Sequence, residues 1–115
     1  MLALEAVHVS EDLKRCIREC LDCHAVCLAM MQHCLEHGGR PAHIRLLLDC
    51  AEICRTSADF LLRESDLHVL TCGVCAQICE RCADECESFG EDHQMLACAQ
   101  ACRRCAESCR EMARG

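Results

Sequence analysis

Apolar and polar positions along this chain alternate with the spacing of α-helices that pack against other helices. In the first such stretch, the positions that share one face are Leu13, Cys16, Cys20, Cys23, Cys27, Met30, Cys34 and His37. Steps that alternate between three and four residues keep one face of a helix turned toward its partners. Three further stretches show the same spacing, so the pattern predicts four helices.

Start and stop signals bound the first two predicted helices. Ser10, followed by two acidic residues, is a good helix N-cap, and the helix is predicted to run to about His37, where Gly38 begins a glycine pair. Pro41 suits the first turn of helix two, which is predicted to continue to about Glu64.

Similar signals bound the other two helices. Ser65 and Asp66 offer a cap for helix three, which is predicted to end near Phe89. Asp92 is the predicted cap of helix four, which is expected to reach about Arg114.

The breaks between these helices are short, and short loops force neighbouring helices to run antiparallel. The sequence therefore predicts an all-α fold, an antiparallel up-down-up-down four-helix bundle. One domain is expected over residues 10–114, preceded by an N-terminal extension at residues 1–9.

The chemistry of the predicted core is unusual, because every cysteine falls on an inward face. Core positions normally carry Leu, Ile or Val, so sulfur in nearly every layer indicates a role beyond packing. The candidate metal ligands are all sixteen cysteines: Cys16, Cys20, Cys23, Cys27, Cys34, Cys50, Cys54, Cys72, Cys75, Cys79, Cys82, Cys86, Cys98, Cys102, Cys105 and Cys109.

Charge and composition narrow the classes of partner. The net charge is −7, with two Phe and no Trp or Tyr, which argues against nucleic acid and anionic membranes. No apolar run approaches membrane-spanning length. The first ten residues contain no Lys or Arg and do not resemble a signal peptide, so a reducing cytoplasmic location is expected, where clustered cysteines serve as metal ligands.

Seven cysteine pairs have CxxxC spacing, from Cys16–Cys20 to Cys105–Cys109. Residues four apart on a helix have Cβ atoms about 5–6 Å apart, too far for an unstrained disulfide. A metal ion held linearly between two such sulfurs fits that spacing. Soft thiolate ligands select Cu(I), which accepts two-coordinate binding.

Other readings of the thiols stay open at this point. A zinc reservoir would need closed sites of four ligands, which usually come from turns and loops. An iron–sulfur or dithiol protein for redox or electron transfer would leave most cysteines unexplained. No Ser/His/Asp arrangement, phosphate loop or paired-carboxylate site is recognisable, so the chain is not expected to be an enzyme.

Imidazole and thioether groups collect at one predicted end of the bundle. The up-down topology brings His37, His43, Phe89 and Met95 together there, and metal is expected to enter at this end through weaker ligands. Met30 lies between Cys27 and Cys34 on the inward face of helix one, where it either fills space in the core or acts as a thioether ligand.

The chain resembles the copper storage protein family, four-helix bundles whose cores are lined by cysteines. The resemblance covers about residues 10–114 and rests on repeats such as CIRECLDCHAVC, CGVCAQICERCADEC and CAQACRRCAESC. It implies storage and buffering of multiple Cu(I) ions by core thiolates, and similarity to the cytosolic members. It also implies a homo-oligomer, a tetramer by family resemblance. Helix two departs from the pattern, with only Cys50 and Cys54.

A second apolar stripe also favours a homo-oligomer. It comprises Ile17, Leu21, Leu28, Met31 and Leu35 on helix one and Ile44, Leu48, Ala51, Ala58 and Leu62 on helix two. Exposed apolar stripes of this length mark interfaces. Alternatively, these positions widen the core of the bundle.

Overall fold

The computed structural model describes residues 10–114, which form four α-helices. Helix α1 spans Glu11–Glu36, α2 Pro41–Leu62, α3 His68–Glu87 and α4 His93–Ala113. The predicted N-terminal extension lies outside the described residues. Among the described residues, the predicted all-α four-helix fold is confirmed.

Two of the predicted N-caps are confirmed by their hydrogen bonds. The Ser10 hydroxyl accepts the backbone N–H of Leu13 at 3.2 Å. The Asp92 carboxylate accepts the N–H groups of Gln94 and Met95 at 3.0 and 3.1 Å. Each bond satisfies a backbone donor that the first turn of a helix leaves without an intrahelical partner.

The predicted cap of α3 is wrong. The helix begins at His68, and the preceding residue, Leu67, makes no side-chain cap bond. The Ser65 hydroxyl instead accepts the Leu67 N–H at 3.1 Å, within the connecting turn. Glu64 has a positive φ of 52°, a left-handed conformation that stops α2 two residues before the predicted end. The connection therefore uses the residues that the sequence assigned to the helix start.

Ion pairs between helices show the antiparallel arrangement. Arg15, near the start of α1, bonds Glu111, near the end of α4, at 2.8 Å. Arg40 immediately precedes α2 and bonds Glu85 near the end of α3 at 3.0 Å. Each pair joins the beginning of one helix to the end of its neighbour, as the up-down-up-down order requires.

The core of the bundle consists of sulfur and small side chains. All sixteen cysteines are buried, and none is more than 2% exposed. The inward register of every cysteine is therefore confirmed. Buried alanines on α3 and α4 flank them, and small side chains allow two helices to approach closely; these are Ala76, Ala83, Ala99, Ala101 and Ala106.

Most of the second apolar stripe packs against the core of this chain, and the homo-oligomer that it favours stays a prediction. Ile17, Ala51 and Ala58 are fully buried, and most of the remaining stripe residues pack against the core. Helices α1 and α2 pack together, and Nδ1 of His24 lies 2.7 Å from the Ala51 carbonyl oxygen across this contact. The buried and partly buried members of the stripe therefore widen the core of the chain.

None of the helices between residues 10 and 114 has the length and apolar character needed to cross a membrane.

Candidate metal centre

The thiols form a continuous column along the bundle axis. Within CxxxC pairs, the Sγ–Sγ distance is 4.0 Å for Cys16–Cys20, 4.0 Å for Cys23–Cys27 and 3.8 Å for Cys75–Cys79. The α-helical spacing therefore places the sulfurs of these pairs side by side, close to the span of a two-coordinate metal ion.

Sulfurs from different helices lie equally close. Sγ of Cys20 on α1 is 3.5 Å from Sγ of Cys109 on α4. Sγ of Cys54 on α2 is also 3.5 Å from Sγ of Cys79 on α3. The bundle thus adds contacts between helices to those that the sequence spacing creates within each helix.

Close packing couples the thiols, so that they do not ionise independently. Sγ of Cys23 lies 3.7 Å from Sγ of Cys102. The hydrogen bond between these two thiols lowers the pKa of Cys23 and raises the pKa of Cys102.

One end of the column opens into a cavity of about 300 Å³, which we call the histidine end. It is lined by His33, Cys34, His37, Gly38, Gly39, Arg40, Phe89, Asp92 and Met95. The predicted gathering of His37, Phe89 and Met95 is confirmed. Met95 is only 4% exposed, and Met30, deeper along α1, is 5% exposed.

His43 is the unusual polar group near this end. Its side chain is 1% exposed, its ring lies 4.8 Å from the Phe89 ring, and neither nitrogen has a hydrogen-bond partner among the described residues. Burial lowers the pKa of this imidazole, so the neutral form is favoured. A neutral imidazole with free nitrogens can accept a soft metal ion.

His37 lies outside the core, although its spacing from the cysteines of helix one predicts that it faces inward. It follows the last residue of α1 and is exposed. Its ring packs against the His33 ring at a centroid distance of 4.4 Å. The helix ends before its side chain can turn inward, so His37 borders the cavity but does not enter the column.

The opposite end carries a smaller cavity, of about 220 Å³, which is lined by larger side chains. Leu13, Leu61, His68 and Met112 gather there, as the topology predicts, and Leu61 is fully buried. Just inside, the Ser57 hydroxyl lies 3.3 Å from Sγ of Cys72. Ser57 therefore occupies a layer of the column with oxygen in place of sulfur.

Gly39 has a structural role that the sequence does not show, because the sequence marks it only as part of the glycine pair that ends helix one. A Cβ atom at this position would lie 2.5 Å from Cβ of Cys34, closer than side chains can approach. The Gly39 N–H also donates to the Cys34 carbonyl at 2.7 Å. The missing side chain lets the loop cover Cys34, a close approach that the sequence signals only as a glycine pair.

Along the axis the sulfurs form overlapping groups of four, drawn from three helices each. In every group the four Sγ atoms lie within 4.8 Å of one another. Such groups are a dense set of soft ligands in a space that excludes water, which suits binding of several soft metal ions.

The model of the copper storage protein family matches residues 9–114 of this sequence. The chain belongs to that family. An uncharacterised cysteine-rich protein of Bacillus subtilis is 40% identical over 81 residues, which are 68% of this chain and 75% of the relative.

Solved structures agree with this membership. A protein of Nitrosospira multiformis is 45% identical, covering 92% of this chain and 98% of its own, with a TM-score of 0.85. A Cu(I)-bound copper storage protein of Bacillus is 36% identical, covering 90% and 99%, with a TM-score of 0.83. A cytosolic copper storage protein from Streptomyces lividans, carrying five coppers, is 34% identical, covering 91% and 94%, with a TM-score of 0.81.

Proposed function

We propose that this protein stores Cu(I) in the cytosol by binding it to the sixteen cysteine thiolates of the bundle core, which buffers excess copper and keeps a reserve. The observation that carries the proposal is the buried column, in which sulfurs lie 3.5–4.0 Å apart both within and between helices. Membership of the copper storage protein family supports the choice of metal.

Charge explains how a buried core can accept many copper ions. Each Cu(I) replaces one thiol proton, so the charge of the site does not change. A buried uncompensated charge would be opposed by desolvation. The column can therefore fill with Cu(I) until the supply of thiols is exhausted, on the order of one ion per cysteine by soft-ligand chemistry.

An iron–sulfur cluster is a poorer match to this geometry. In such a cluster the cysteine sulfurs surround a cage of iron and sulfide, which keeps them well apart. The sulfurs here are in van der Waals contact, with Cys50 and Cys79 3.7 Å apart. The packed core leaves no room for inorganic sulfide.

Copper is proposed to enter at the histidine end. Met95 lines the cavity and the buried His43 packs against Phe89 of the cavity lining, and both groups bind Cu(I) more weakly than thiolate. His37 would act at the exposed rim, and Met30 would act deeper, between Cys27 and Cys34. Such a gradient of ligand strength moves the ion inward and does not hold it at the mouth.

The role is proposed to be non-catalytic, and the protein is proposed to act as a homo-oligomer, as the tetramer implied by the family resemblance. Leu35 and Leu48 are the exposed members of the second apolar stripe, at 60% and 40% exposure, and are candidates for a contact between subunits. Sedimentation of the reduced protein measures the oligomeric state.

The storage function is tested by titrating the reduced, metal-free protein with Cu(I) in the presence of a competing chelator. We expect binding to continue to on the order of one ion per cysteine. Cys34→Ser should lower the capacity by about one ion under the same one-per-thiol relation. Saturation of the unmodified protein at one or two ions would overturn the proposal.

A further inference from the structure

Five of the four-thiol groups follow one another along the bundle and share edges. In order, they are Cys20/Cys75/Cys105/Cys109, then Cys54/Cys75/Cys79/Cys105, Cys23/Cys50/Cys54/Cys79, Cys23/Cys27/Cys50/Cys102 and Cys27/Cys82/Cys98/Cys102. Each group shares two sulfurs with the next. The column is therefore a stack of tetrahedra joined edge to edge.

The edge length of these tetrahedra matches a specific kind of metal ion. A regular tetrahedron around a Zn(II) ion with Zn–S bonds of about 2.3 Å has edges of about 3.8 Å. In the first group, Sγ of Cys20 lies 3.5 Å from Cys109 and 3.7 Å from Cys105, and Cys75 lies 3.9 Å from Cys105. The metal-free arrangement is already close to the required size.

Three of the six edges of the third group have similar lengths. Sγ of Cys50 lies 3.9 Å from Cys23 and 3.7 Å from Cys79, and Cys54 lies 3.5 Å from Cys79. In the fifth group, Sγ of Cys27 lies 3.9 Å from Cys102, and all four Sγ atoms lie within 4.8 Å of one another. A tetrahedral ion could bind in any of these groups if the longest edges shorten by up to about 1 Å.

Adjacent groups cannot both hold a doubly charged ion. The centres of two tetrahedra that share such an edge lie no more than about 2.7 Å apart for Zn–S bonds of this length. Two dications at that separation repel strongly in a buried, weakly screened core. Alternate groups have no sulfur in common, so the first, third and fifth groups can fill together, and they use twelve of the thiols.

We propose that the thiol column also contains three separate tetrahedral sites for a divalent, thiolate-binding ion of the Zn(II) class, formed by Cys20/Cys75/Cys105/Cys109, Cys23/Cys50/Cys54/Cys79 and Cys27/Cys82/Cys98/Cys102. Each site joins three helices, so an ion there crosslinks the bundle. The inference requires only the positions of the sulfurs and does not depend on copper storage.

The charge balance decides which metal dominates. When a divalent ion binds four thiols, four protons pass to the buffer and the site changes from neutral to a charge of −2. Cu(I) leaves the charge unchanged, so it is favoured in the buried core. Divalent ions therefore occupy the column when Cu(I) is scarce and are released when Cu(I) enters.

The experiment uses Co(II), which reports tetrahedral thiolate coordination by strong visible absorption. Reduced, metal-free protein is titrated anaerobically with Co(II) in the absence of copper, and we expect the absorption to stop rising at three equivalents per chain. Subsequent Cu(I) should remove the absorption completely. A Co(II) endpoint other than three, or weak absorption typical of octahedral Co(II), overturns the inference.

Serine variants show whether the named thiols hold the ions. Cys75→Ser removes the first group and the one next to it, and Cys82→Ser removes the fifth, so each variant should bind two Co(II). Cys34 belongs to none of the five groups, so Cys34→Ser should still bind three while losing about one Cu(I) by the one-per-thiol relation. Three Co(II) in Cys75→Ser and Cys82→Ser would contradict the assignment.

The Co(II) and Cu(I) experiments can fail separately. Loss of the three-ion Co(II) endpoint with normal Cu(I) capacity would reject only the divalent sites. A normal Co(II) endpoint with Cu(I) saturation at one or two ions would reject copper storage and retain the divalent sites. Circular dichroism of each variant confirms that it remains helical.

Discussion

At the scale of single residues, small and polar groups at the histidine end determine how the outermost thiols are held. Gly39 allows the loop to lie against Cys34, and burial raises the pKa of the Cys34 thiol. His43 is buried without a hydrogen bond among the described residues, although buried polar side chains are normally paired. An imidazole buried without a hydrogen bond costs stability, which fits the proposed role of this end in admitting metal.

Gly39→Ala should destabilise the reduced, metal-free protein by about 1–3 kcal/mol, because the added methyl group overlaps Cβ of Cys34. Urea unfolding measures this change. Gly73→Ala is the matched control, since a Cβ at Gly73 in α3 meets no atom within 4 Å. That control should be more stable by about 0.5–1 kcal/mol, from helix propensity. If both variants changed the free energy of unfolding equally, the close contact between Gly39 and Cys34 would be contradicted.

His43→Leu should stabilise the metal-free protein by about 1 kcal/mol, because it removes a buried polar group that makes no hydrogen bond. The same variant should load Cu(I) more slowly, since it removes the proposed imidazole ligand near the cavity. Urea unfolding and stopped-flow copper uptake give the two readouts. The exposed His93 supplies a control, and His93→Leu should not change the rate of uptake. An unaltered rate in His43→Leu would reject a role in uptake.

At the scale of the elements, the helices are set by caps and by interhelical pairs on their outer faces. The Asp92 carboxylate starts α4, and bonds from the Met95 N–H and the Gln94 N–H keep its pKa below the usual range. Arg103 on α4 pairs with both Asp84 and Glu87 on α3, which fixes this helix pair in register. Among residues 10–114, no Asp, Glu, Lys or Arg side chain is buried.

Ser10→Ala should destabilise the protein by about 1 kcal/mol, the usual effect of losing an N-cap acceptor. The Leu13 N–H then loses its hydrogen bond, and the first turn of α1 frays. Urea unfolding measures the change. Ser10→Asp keeps an acceptor at the cap and should retain most of the stability. If Ser10→Ala has no effect, the cap does not contribute to folding.

The Asp92 cap also predicts a dependence of stability on pH. A carboxylate whose pKa is lowered by folding stabilises the protein fully above its unfolded pKa of about 3.9, and that contribution is lost as the pH falls through the lower, folded pKa. Asp92→Asn keeps the acceptor without the charge, so its stability should change less with acidification than that of the native protein. Urea midpoints measured at neutral and acidic pH compare the two. If the native protein and Asp92→Asn had the same dependence of stability on pH, the Asp92 carboxylate would not be the group responsible.

At the scale of the whole molecule, the bundle does not need metal to bring its helices together. Larger apolar side chains pack around the thiol column, and three of them, Ile17, Leu47 and Leu61, are fully buried. We therefore expect the column to form before copper arrives, so that the metal adds crosslinks to an existing core.

The reduced, metal-free protein should consequently be helical, and Cu(I) should raise its thermal midpoint in proportion to loading. Binding to the folded state alone stabilises that state by mass action. Circular dichroism with and without Cu(I) provides the measurement. A coil spectrum of the reduced protein, or an unchanged midpoint after loading, would refute a preformed column.

The sequence by itself determined the helices, their antiparallel order and the inward face of all sixteen cysteines, because these properties follow from local spacing, caps and loop length. It failed at the start of α3, where Ser65 uses its hydroxyl within a turn, and it left open whether the second apolar stripe is exposed or packs against the core. Both outcomes depend on tertiary contacts, because the sequence of a segment does not show which other segment it packs against.

Only the tertiary structure decided which sulfurs meet across helices. Contacts such as Cys20 with Cys109 and Cys54 with Cys79 depend on how far each helix is shifted and rotated against its neighbours. The same holds for the close approach of Gly39 to Cys34 and for the position of His37 outside the column. Periodicity fixes the direction of a side chain around its own helix axis, whereas the distance to another helix is fixed by packing of the complete bundle.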